Sequence, residues 1–164
     1  NLNRQELGGR FARHQMHCLS GKQAPLDPSD LRMKSNPQLL ELLLKELEAI
    51  PEEELRTKSR KNVCPEGQSE TLQMALGLVV SGSWRGIPMP AGRTYQYLKL
   101  QQLIFAHVEV LARKQGMDLS RFRFTSIQIT KNLESKKHKD RNNSELSLIF
   151  TCGDHEGGEL GSSG

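Results

Sequence analysis

Aromatic side chains make up 5% of this 164-residue chain, and Trp84 is its one tryptophan. Few of them interleave with the basic residues, so the stacking platforms used by single-strand nucleic-acid binders are poorly supplied. Cysteine is scarce as well. Cys18, Cys64 and Cys152 are odd in number and far apart. That argues against a disulfide framework and for a reducing, intracellular setting, cytoplasm or nucleus. No run approaches the roughly eighteen apolar residues of a membrane span. The start lacks the apolar stretch of a secretory signal, and an initial Asn is what a fragment or processed form would show. Apolar residues reach 35%, enough for one domain with a modest core. A net charge of +4 permits contact with nucleic acid or acidic partners without requiring it.

What is present divides along the chain. Residues 1–35 read as a polar, flexible arm. Its His14, His17 and Cys18 lack a fourth zinc donor at regular spacing, and Pro25, Asp27, Pro28 and Ser29 mark a turn or linker. Residues 36–68 read as helical. Asn36 and Pro37 open a helix whose Leu39, Leu40, Leu43, Leu44 and Leu47 recur at helical spacing. After Pro51 a second short helix is expected over 52–58. The basic run Arg56, Lys58, Arg60 and Lys61 reads as a solvated face. Residues 70–80, ETLQMALGLVV, read as a third helix with Leu72, Leu76 and Val79 inward, and Gly77 weakens it. A Gly- and Pro-rich surface loop is expected over 81–93. The longest helical pattern, 94–115, turns Tyr97, Leu100, Ile104, Val108 and Leu111 inward and ends at Gly116. His107 on it reads as a packed or surface helix residue. Residues 161–164 form a flexible tail.

Strand patterns follow. Ile127 and Ile129 alternate with Ser126, Gln128 and Thr130, the signature of a half-buried strand. A second run, 146–151, is apolar at Leu146, Leu148, Ile149 and Phe150, as if covered on both faces. Gly153, Gly157 and Gly158 then allow a sharp reversal. Between the runs stand His138 and Asp140. At i and i+2 of an extended chain they leave the same face, so an imidazole and a carboxylate could grip one metal ion. With a distant His they would complete the two-His, one-carboxylate triad suited to non-haem Fe(II). The plainer alternative is a solvated basic turn, because Lys136, Lys137, Lys139 and Arg141 surround the pair.

The phrases FTSIQITKNLESKKHKDRNN and GDHEGGEL resemble the core signature of the Fe(II)- and 2-oxoglutarate-dependent dioxygenases. Among these they are most similar to protist and algal members distantly like the thymine and methylcytosine oxygenases. The resemblance is strong over 124–160, fainter from about residue 72, and does not reach the first sixty-odd residues. It implies an α+β chain in which N-terminal helices pack on a partial double-stranded β-helix, or jelly-roll, whose front part lies within 69–160. It also implies His138 and Asp140 as iron ligands, 2-oxoglutarate as co-substrate and O2 as oxidant. Asn132 matches the pattern. Thr130 stands where members often carry Asn, and His155 where an aromatic is common. The family's distal His and its 2-oxoglutarate-binding Arg or Lys fall beyond residue 164, so the chain alone is expected to be a fragment, or inactive as it stands. The substrate is left open among nucleobase, protein side chain and small molecule. The alternatives are a non-catalytic interaction module or a nucleic-acid-binding module on the same fold.

Overall fold

The computed structural model describes residues 25–58, 63–80, 86–120, 124–136 and 147–156. Helix α1, Pro28–Met33, occupies the place where a linker was expected. Asp27 caps it, accepting from the Ser29 N–H at 2.8 Å. Leu31 is buried, and Leu26 exchanges two hydrogen bonds with the Gln102 amide, at 2.7 and 2.9 Å. A short stretch inside a polar segment therefore docks through the buried Leu31 side chain and the Leu26 backbone. Helix α2, Asn36–Glu48, starts one residue earlier than its Asn-Pro signal implies. Ser35 is the N-cap, and Gln38 reaches back to accept from its backbone N–H at 2.9 Å. Leu39 and Leu43 are its buried residues.

Helix α3 spans only Glu52–Leu55 and gives way to strand β1, Arg56–Thr57. The expected helix stops short because Arg56 and Thr57 pair with Leu72 and Thr71. Those partners belong to strand β2, Thr71–Val80, which corrects the helix expected over 70–80. Leu72, Met74, Leu76 and Leu78 alternate with Thr71, Gln73, Ala75 and Gly77. That period of two prevails over the i, i+4, i+7 match that suggested a helix. Strand β3, Pro88–Pro90, lies inside the expected loop and pairs antiparallel with Leu78–Val80. Its two prolines suit a short pairing at a sheet edge.

Helix α4, Leu98–Lys114, begins four residues later than its periodicity implies. The residues before it are held by side chains. The Thr94 hydroxyl accepts from the Gly77 N–H at 3.0 Å. Glu54 on α3 accepts from the Tyr97 hydroxyl at 2.6 Å, from the Gln96 amide at 3.0 Å and from the Arg93 guanidinium. Strand β4, Ser126–Thr130, pairs antiparallel with β2 from Gln73↔Thr130 to Gly77↔Ser126. All three shorter strands thus pair with β2. The chain is α+β with an antiparallel sheet, as expected at that level. Met74, Leu76, Ile127 and Ile129 share one sheet face with the core, which Leu39, Leu43, Leu100, Leu103 and Ile104 complete from the helices.

Candidate functional site

Strand β4 delivers the chain to the His-x-Asp loop. Ile127 and Ile129 pack against the core, while Ser126, Gln128 and Thr130 are exposed. That is the expected half-buried alternation. Past the strand, the Lys131 N–H donates to the Leu72 carbonyl at 2.9 Å, and the Lys136 N–H donates to the Val63 carbonyl at 3.2 Å. Asn132 takes a left-handed φ of 49°, a conformation Asn tolerates better than most residues. The approach to the loop is thus tied by backbone to the start of β2 and the segment before it.

His138 and Asp140 lie outside the described residues, as do Asn142, Asn143, Trp84, and His14, His17 and Cys18. The chain is described again from Ser147. Leu148, Phe150 and Cys152 pack against the core, while Ile149 is 61% exposed. One face of this run is covered rather than two. Residues 147–152 belong to no strand, so their hold on the core comes from alternate side chains. Gly153 follows with φ +83°, in the reversal expected there.

The sheet face away from the core carries polar groups. Thr71 and Gln73 are buried there, and the Gln73 amide donates to the Thr71 hydroxyl at 2.5 Å. The Gln128 amide donates to Gln73 Oε1 at 3.3 Å. Reading 70–80 as a helix concealed this chain of groups; the alternation of β2 was the signal that would have found it. At the same end of the sheet an open cleft of about 180 Å³ is lined by Arg56, Gln68, Glu70, Thr71, Lys131 and Asn132, among others. Glu70 pairs with Arg56 at 3.0 Å and Lys58 at 3.4 Å, and Glu52 pairs with Lys131 at 2.9 Å. Hydrogen bonding from Arg56, then from Lys58, holds the Glu70 carboxyl below the usual range. Lys131 does the same for Glu52. The described members of the basic run are solvated ion-pair partners, as the sequence implied.

Two further histidines are described. His155 is exposed, with Nδ1 3.0 Å from the Gly153 carbonyl and Nε2 3.2 Å from the Thr151 hydroxyl. Both ring nitrogens are occupied in its own turn. His107 is buried in α4 and packs against Phe150. Among the described residues no group of three His, Cys, Asp or Glu side chains could hold a metal ion, and no helix is long and apolar enough to cross a membrane. Compared with family models, curated proteins and solved structures, the chain matches none.

Proposed function

We propose that this chain carries the front part of an Fe(II)- and 2-oxoglutarate-dependent dioxygenase-like domain, with His138 and Asp140 as two of the metal's protein ligands. The observation that carries the reading is how the two sides of residues 137–146 are held. Strand β4 enters with one apolar face on the core, and residues 147–152 leave with Leu148, Phe150 and Cys152 against that core. Ligands on a short loop need such supports, because affinity depends on how firmly their geometry is held. A jelly-roll arrangement belongs to the same proposal, supported by the antiparallel pairing of three described strands with β2.

The donors fit ferrous iron in part. An imidazole and a carboxylate are the right types, and are two of the three protein donors a facial triad takes. When bound, iron would activate O2, the oxidant, with the keto acid as co-reductant, so that one oxygen atom hydroxylates a C–H bond and the other leaves in succinate. The protein's own part is to orient and to attract. The backbone bonds of Lys131 and Lys136 fix the approach to the ligands, and Lys137, Lys139 and Arg141 give an acidic co-substrate a favourable field.

With two protein donors the chain binds divalent metal weakly, so the test must detect weak binding. Co(II) is titrated anaerobically in the presence of 2-oxoglutarate, and paramagnetic broadening is read residue by residue by NMR. Broadening is expected to centre on 137–143. His138→Ala and Asp140→Ala should each weaken it by at least about tenfold, the low end of what losing even an outer-shell partner costs a metal site. Broadening centred elsewhere, or unchanged in both variants, would discard the proposal.

A further inference from the structure

His107 is 4% exposed, on a helix whose buried neighbours include Leu103, Ile104 and Val108. Among the described residues its Nδ1 has no hydrogen-bond partner. The ring stands edge-on to Phe150, centroids 5.0 Å apart at 61°. Phe150 is the middle of the three side chains that hold residues 147–152 on the core.

Among the described residues, the surroundings offer a charged imidazole nothing to pair with. On its own helix, Lys114 repels it. Helix α2 turns Leu39 and Leu43 to the core, and its Glu46 is held by Lys99 at 2.6 Å. The sheet contributes Met74, Leu76, Ile127 and Ile129. From 147–156 the inward titratable group is the Cys152 thiol, itself pushed up by burial, while Asp154, His155 and Glu156 are exposed. No described carboxylate acts on the ring. Burial first, and Lys114 second, hold its pKa below the ordinary 6.5. The folded state therefore binds this proton less readily than an open state does. The stability is complete above about 6.5 and is lost as pH falls from there towards the lowered folded value.

We infer that His107 is an acid-sensitive latch, whose protonation favours a state in which Phe150 and residues 147–152 lift away from α4. The inference does not depend on the dioxygenase reading. It bears on the same region, because 147–152 is the downstream support of the His138–Asp140 loop.

The test is nuclear Overhauser spectroscopy of the full chain at about pH 7.5 and about pH 5, either side of the histidine range. In the parent chain, the contacts of the Phe150 ring with His107 on α4 should be lost on acidification, while those between α2 and α4 persist. His107→Phe, which preserves an aromatic contact without a titrating group, should abolish the loss. His107→Gln repeats the test should the larger ring be poorly accommodated. His155→Gln should leave the loss in place. A parent chain whose Phe150 contacts with α4 are the same at both pH values, a loss of them that persists in both His107 variants, or one that vanishes in His155→Gln overturns the inference.

Discussion

Glu54 shows how much one carboxylate can organise. A single side chain on a four-residue helix receives Arg93, Gln96 and Tyr97, and so fixes the turn that leads into α4. Its effect is visible on Tyr97. Burial first, and the bond to Glu54 second, push that phenol up to about 12 from an ordinary 10.0. A raised phenol stabilises the fold fully below pH 10 and loses that contribution as pH rises towards 12. Replacing Glu54 by Gln should bring the phenol's midpoint down in a spectrophotometric titration, yet leave it above 10, because burial is the larger cause and remains. Chemical denaturation should show Glu54→Ala weaker by about 1–3 kcal/mol, the cost of leaving part-buried donors without their charged acceptor.

At the scale of elements, legibility followed length and period. The Leu stripes of α2 and α4 are long enough for the helical period to stand out, and β4 alternates cleanly over Ser126–Thr130. Strand β2 was misread because Leu72, Leu76 and Val79 satisfy a helix while Leu72, Met74, Leu76 and Leu78 satisfy a strand. Composition alone does not choose between the two. Strands β1 and β3 are two and three residues long and exist only because β2 offers them partners, so no local signal could announce them. The ligand pair was legible as chemistry, whereas Thr71 and Gln73 depended on the strand being recognised. Gly77 holds a test of that strand. Its φ is +87°, and an added Cβ would collide with the Thr125 carbonyl oxygen. Gly77→Ala should therefore cost at least about 1–3 kcal/mol of unfolding free energy. Gly116→Ala has a similar φ of +65° but open space around it, and should lie at the lower end of that range.

For the whole molecule, helices and sheet meet in one core rather than two. Leu43 of α2 and Leu76 of β2 are both fully buried in the same cluster. Truncating either to Ala should cost about 2–5 kcal/mol. Each loss should appear as an earlier midpoint of a single transition, with circular dichroism and near-ultraviolet signals moving together. Separate transitions for helix and sheet would show that the two layers are less coupled than their shared side chains imply.

Because every described strand leans on β2, the order in which the chain leaves the ribosome acquires a meaning. Ser126–Thr130 is made some fifty residues after its partners Gln73–Gly77. At roughly 5–20 residues per second the middle of β2 waits several seconds with that flank bare. During that interval an apolar, partly assembled strand is open to chaperones and to neighbouring nascent chains alike, and a slower codon stretch between the two would lengthen the exposure.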